Sequence, residues 1–166
     1  MRRLWILLVV LLFSGCGFHL RGVFSLPFET LYISLPESAE LRAIIKRNVE
    51  ASTQTRVVDN AKDAQATLTI LGDLPQKNIL SVNSAGKVRE FQLVRLFSFR
   101  VQDPKGQDFI APSTIRITRE ITFSDSAVLA KESEEALLWR DIQTDLVQQL
   151  LRRFAAAKPP VAQDQQ

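Results

Sequence analysis

The chain of 166 residues carries 21 Lys and Arg against 18 Asp and Glu, a formal net charge of +3 to which Arg2 and Arg3 of an N-terminal leader contribute two. Without those two the balance is 19 basic to 18 acidic side chains; so neutral a chain is not built to coat a polyanion such as nucleic acid, and recognition of negative charge has to be local. One Cys and one His argue against a usual transition-metal ligand set and against a Cys–His or Ser–His nucleophile pair.

Met1-Arg2-Arg3 precedes ten apolar residues, Leu4 to Phe13, and small residues follow at Ser14 and Gly15. A charged start, an apolar middle and a small-residue cut site make a bacterial secretory signal, residues 1–15. The apolar run is half the roughly 20 residues that a spanning helix needs. Cys16 comes next and has no second cysteine to pair with, so in an oxidising compartment the lone thiol needs another role. Ser14-Gly15-Cys16 resembles the lipobox of bacterial lipoproteins. That resemblance implies acyl chains, palmitate among them, on Cys16 as the new N-terminus. Gly17, where lipoproteins kept in the inner membrane typically carry Asp, implies sorting to the outer membrane.

Residues 16–29 read as a lead from the anchor, and residues 30–157 as a single domain. Thr30 to Pro36 alternates, with Leu31, Ile33 and Leu35 on one side, which predicts a half-buried strand. Pro36 stops it, Ser38 offers an N-cap, and Leu41, Ile44, Ile45 and Val49 recur at the spacing of an amphipathic helix of about four turns. Val57 and Val58 predict a short edge strand, followed by a polar turn from Asp59 to Asp63. Ala66, Leu68 and Ile70 begin a run of strands. From Lys87 to Asp103, Phe91, Leu93, Phe97, Phe99 and Val101 share one parity, and Glu90, Gln92, Ser98 and Arg100 the other. Asn83-Ser84-Ala85-Gly86 and Asp103-Pro104-Lys105-Gly106 are turn chemistry, so antiparallel hairpins are predicted on both flanks. Ser113 to Phe123 repeats the pattern, with Ile115, Ile117, Ile121 and Phe123 inward. A long helix from about Ser126 to Ala157 carries Leu138, Ile142, Leu146 and Leu150 every four residues, widened by Val147, Leu151 and Phe154. Lys158-Pro159-Pro160 ends it, and residues 158–166 are expected to form a disordered tail. The apolar stripes are satisfied together by an α+β domain: two helices packed on one face of a mixed, largely antiparallel sheet of about four strands. The opposite face is then mostly Thr, Arg, Glu and Gln.

Catalytic chemistry is sparse. His19 stands three residues from the lipidated cysteine, no Gly-x-Ser-x-Gly element is present, and Gly86 and Gly106 are isolated turn glycines. Glu134-Glu135 are adjacent on a helix and point in different directions, as on a solvated face. A non-enzymatic protein without cofactor or metal is expected.

The mature N-terminus reads Cys16-Gly17-Phe18-His19-Leu20-Arg21. This resembles the opening of the LPS-assembly lipoprotein LptE family, whose members characteristically begin Cys-Gly-aromatic-His-Leu-Arg, and the order of helix, hairpins and long final helix is similar. The resemblance implies an outer-membrane lipoprotein on the periplasmic side that plugs the large β-barrel LptD and helps insert lipopolysaccharide into the outer leaflet. Arg116, Thr118 and Glu120, on the outward parity, are the partner-facing candidates for a polar barrel lumen; a solvated sheet face has the same pattern. For lipopolysaccharide phosphates the candidates are Lys131, Lys87 and Arg89. Ala130-Lys131 matches the family locally, whereas the turn tip Ser84-Ala85-Gly86 lacks the basic residue it implies. On the helix surface Lys131 has a competing partner in Glu134 or Glu135. His19, Leu20 and Arg21 are assigned to packing or orientation. An accessory lipoprotein of an inner-membrane transporter is the alternative, and a lipid-anchored hydrolase ranks last.

Overall fold

The computed structural model describes residues 25–160. The signal segment, Cys16, the family signature with His19, Leu20 and Arg21, and residues 161–166 lie outside the described residues. In chain order the elements are β1 (Thr30–Ser34), α1 (Glu40–Ser52), β2 (Arg56–Val58), β3 (Ala66–Val82), β4 (Val88–Gln102), β5 (Asp108–Thr122) and α2 (Val128–Ala156). Single 3-10 turns, Ala61–Asp63 and Asp125–Ala127, precede β3 and α2.

Among the described residues the sheet has five strands in the order β2-β1-β3-β4-β5. β1 is parallel to both β2 and β3, and β3, β4 and β5 are antiparallel. The count exceeds the four expected because the three residues Arg56–Val58 find a full partner in Thr30–Tyr32. Both hairpins turn as their sequences demand. In the β3–β4 turn, Asn83 Oδ1 accepts from the N–H groups of Ala85 and Lys87 at 3.0 and 2.9 Å, and Gly86 takes a φ of 76°. Asp103 serves Lys105 and Gln107 in the same way at 2.9 and 2.7 Å, with Gly106 at 82°. A short polar side chain that replaces backbone acceptors, followed by a glycine in the left-handed region, is the chemistry of a three-residue hairpin loop.

Helix starts are shifted from the sequence expectation. α1 begins after Ala39 with no side-chain cap; Ser38 is one residue too early, because the Ala39 N–H is already bonded to the Pro36 carbonyl at 3.0 Å. α2 begins at Val128, since Ser126 is taken up in the preceding 3-10 turn. The core forms where α1 and α2 cover the sheet. Ile45 and Val49 of α1, and Ile142, Leu146, Leu150 and Phe154 of α2, are buried against Leu31, Ile33, Leu68, Leu93, Phe97, Phe99, Ile115 and Ile117. Phe28 stacks edge-on against Phe109 and Phe154, at 5.4 and 6.2 Å between centroids. This aromatic cluster packs the end of the sheet that holds the β4–β5 turn, and both described chain ends leave from there.

α2 is divided along its length. Its six buried residues all lie between Ile142 and Phe154. Residues 128–141 have no fully buried residue: Leu138 and Trp139 are partly buried against the core, and Glu135 bonds Lys77 of β3. Arg95 and Arg119 occupy inward positions between the apolar pairs Leu93/Phe97 and Ile117/Ile121. The guanidinium of Arg95 donates to both oxygens of Asp73 at 2.8 and 2.7 Å and reaches Gln143 of α2. Arg119 pairs with Asp145. Stripping charge from water requires such partners. Elsewhere Arg42 of α1, 7% exposed, pairs with Asp59 at 2.8 Å.

Candidate functional site

The β3–β4 turn, the end of β5 and the start of α2 come together at the far end of the sheet from the aromatic cluster. Phe123, just past β5, bonds its N–H to the Arg89 carbonyl at 2.7 Å and sets its ring edge-on to Phe91. Phe123 is thus half-buried rather than a core residue, since β5 ends at Thr122. Over this floor the first turns of α2 leave a small slot of about 90 Å³, lined by Phe91, Ile121, Phe123 and Val128 and rimmed by both charges, Lys77 and Lys131 with Glu132 and Glu135.

Lys131, a candidate from the sequence, holds its ammonium between Thr122 Oγ1 and Glu134 Oε2, each at 2.8 Å. The i, i+3 pair with Glu134 is the competing partner that helix spacing allows. Lys77 was missed. Its ammonium lies 4.3 Å from the centre of the Phe91 ring, where the aromatic face attracts a cation, and it bonds Glu135 at 2.6 Å. Its inward orientation follows from its register with Leu93, which depends on how β3 pairs and not on the local pattern around residue 77. Lys87 stands outside the slot at the turn exit, paired with Asp125 at 3.0 Å, with both side chains about two-thirds exposed. Arg89 is exposed on the adjoining strand.

Arg116, Thr118 and Glu120 lie on the sheet face without helices. They stand in register with Leu96, Val94 and Gln92 of β4, one residue off the inward positions of Phe97 and Ile115. This face is less polar than expected: Val94 is fully buried on it, and Leu74 and Leu96 share its rows. The candidate ligand cations and the candidate partner row therefore occupy opposite faces.

Both ammonium groups of the slot are paired with carboxylates, Lys77 with Glu135 and Lys131 with Glu134. Among the described residues no group of three His, Cys, Asp or Glu could hold a metal ion, and no helix is long and apolar enough to cross a membrane.

Residues 28–154 match the family model for LptE, lipopolysaccharide assembly. The chain is 28% identical to the LPS-assembly lipoprotein LptE of Pectobacterium atrosepticum over 150 residues, covering 89% of this chain and 80% of that protein. It is 32% identical to the protein of the same name from Yersinia enterocolitica, covering 89% and 72%. Among solved structures it is similar to lipoprotein B of Nitrosomonas europaea, with a TM-score of 0.74, 38% identity and coverage of 84% and 91%. The rare lipoprotein B of Shewanella oneidensis gives 0.65, 26%, and coverage of 76% and 94%.

Proposed function

Because the chain belongs to the LptE family of lipopolysaccharide-assembly lipoproteins, whose role is not enzymatic, we propose that it is anchored by Cys16 in the outer membrane on its periplasmic side. There it plugs and supports the LptD β-barrel, and binds lipopolysaccharide during assembly into the outer leaflet. The observation that carries the ligand half of this reading is the slot: an apolar floor with two ammonium groups at its rim, Lys77 and Lys131, each held by a carboxylate, Glu135 or Glu134, that a phosphate would replace. Lipid A has the matching composition, phosphate beside hydrocarbon. Lysine acts on phosphate as a point charge and needs no bidentate geometry. A phosphate arriving at Lys131 or Lys87 has to displace Glu134 or Asp125, so each contact gains only the difference between two ion pairs. The polar row Arg116, Thr118 and Glu120 supports the plug half, since a barrel lumen is lined by hydrogen-bonding groups.

Lipopolysaccharide binding to the soluble domain tests the ligand half, comparing wild type with Lys87→Glu/Lys131→Glu. Affinity should fall by about fivefold or more, roughly 1 kcal/mol, and the remaining binding should depend less on salt. Thermal melts run alongside separate this from unfolding. A folded double mutant with wild-type affinity discards Lys87 and Lys131 as ligand residues.

A further inference from the structure

Where α1 and α2 meet, each turns one stripe toward the other: Glu40, Ile44 and Arg47 on α1, and Arg140, Gln143 and Val147 on α2, spaced three or four residues apart. Between the stripes lies a groove of about 410 Å³. Its floor is apolar, with Val147 buried and Ile44 partly so. Arg47 and Arg140 stand at its rim. Among the described residues neither holds a carboxylate, whereas Arg42, Arg95 and Arg119 on the same side of the sheet each hold one. Glu40 lies two turns of α1 from Arg47, about 10 Å along the axis, and the three charges together leave the rim positive.

Groove and slot share one flank of α2. Glu135 lines the slot and Gln143 the groove. Trp139 stands at i, i+4 spacing from both and donates from Nε1 to Glu135 at 3.4 Å. Beneath this flank Lys77 reaches Glu135, and Arg95 reaches Gln143 while it holds Asp73. The charges between the two cavities are thus paired off. Lys131 and Arg140 are nine residues apart, about 14 Å along the helix axis. A ligand that touches both is elongated, with negative charge at two separated points and a neutral stretch between them.

We propose that the groove between α1 and α2 holds an acidic sugar of the lipopolysaccharide whose lipid phosphate the slot takes, with Arg47 and Arg140 on the sugar's carboxylate or phosphate. The proposal rests on the ligand half of the reading above and extends it from the lipid to the saccharide. A guanidinium fork meets either oxyanion with two parallel hydrogen bonds. Asn48 spends its amide donor on the Ile44 carbonyl, and Gln143 spends its carbonyl on Arg95. One carbonyl acceptor and one amide donor are left in the wall for ring hydroxyls, and Ile44 and Val147 suit the C–H face of a sugar. A hydrocarbon chain in the same place would desolvate both guanidiniums without pairing them.

The test uses the full chain with Trp5→Phe, which makes Trp139 the sole tryptophan, and two probes: the acidic core oligosaccharide cleaved from its lipid, and lipid A without those sugars. The oligosaccharide should bind and shift the emission of Trp139. Arg47→Gln/Arg140→Gln should weaken that binding at least about fivefold and leave both the lipid A affinity and the thermal midpoint unchanged. Lys131→Glu should do the reverse, weakening lipid A and sparing the oligosaccharide. An oligosaccharide stripped of phosphate that keeps its affinity assigns the arginines to carboxylate, and one that loses it assigns them to phosphate. Lipid A binding without oligosaccharide binding, or oligosaccharide binding indifferent to both arginines, overturns the proposal and leaves the ligand reading standing. Oligosaccharide binding that appears only after residues 161–166 are deleted makes the segment of Asp164 the occupant and overturns it as well. Failure of both probes to bind removes the ligand reading too.

Discussion

At the scale of single residues, the ionisable groups do more structural work than the alternation of polar and apolar residues conveys. Arg95 and Arg119 interrupt the inward parities of β4 and β5 at positions visible in the sequence, and their partners Asp73 and Asp145 come from another strand and from a helix. Parity could have flagged both arginines; only the pairing of distant elements could name the carboxylates. Asp59 offers a direct measurement. The Arg42 guanidinium donates a hydrogen bond to it and Lys46 adds positive charge, so its pKa is held below the ordinary 3.8. A depressed carboxylate stabilises the fold above its unfolded pKa and loses that contribution as pH falls through the folded value. Asp59→Asn should therefore be less stable to urea than wild type at about pH 7, and the gap should close below pH 3.8. Since the Asp59 side chain is 64% exposed, the gap should also shrink in high salt. A difference that persists unchanged into acid rules out the charged pair as its source.

At the scale of elements, the hairpins are determined locally and the helix ends are not. The β3–β4 turn follows from Asn83 and Gly86 alone. The added Cβ of alanine at Gly86 would meet nothing within 4 Å, so the cost of Gly86→Ala is that of the left-handed backbone, about 1 kcal/mol. Asparagine visits that region more readily, so Gly86→Asn should cost less than Gly86→Ala in denaturant melts. The reverse order would contradict the turn geometry. Helix starts depend on competition among neighbouring backbone groups, and this is why Ser38 and Ser126 were poor guides. The periodicity of α2 foretold its length and its buried stripe. It did not foretell that full burial stops at Ile142, with Leu138 and Trp139 only partly covered, because how much of a helix meets an apolar surface depends on what the sheet presents beneath it.

For the whole molecule, the anchor and the two candidate faces lead to linked outcomes. With the barrel partner deleted, Cys16→Ala should leave the protein unprocessed or free of the outer membrane, since acyl chains supply about 0.8 kcal/mol per buried methylene. Unchanged membrane retention in that strain counts against the lipid anchor. With the partner present, photocrosslinkers at Arg116, Thr118 and Glu120 should capture the barrel, and silence at all three would remove the plug assignment for this face. The sequence by itself determined the two helices, the strands on both sides of each hairpin, the inward set from Leu93 to Val101 and the family, because each rests on local periodicity, turn chemistry or contiguous motif. Tertiary structure alone decided the fifth strand's pairing, the burial of Val94 on the helix-free face, and the meeting of Lys77 with Phe91 and Glu135. Each of these depends on register between segments far apart in the chain, and an alternating strand looks the same in sequence whichever strand lies beside it.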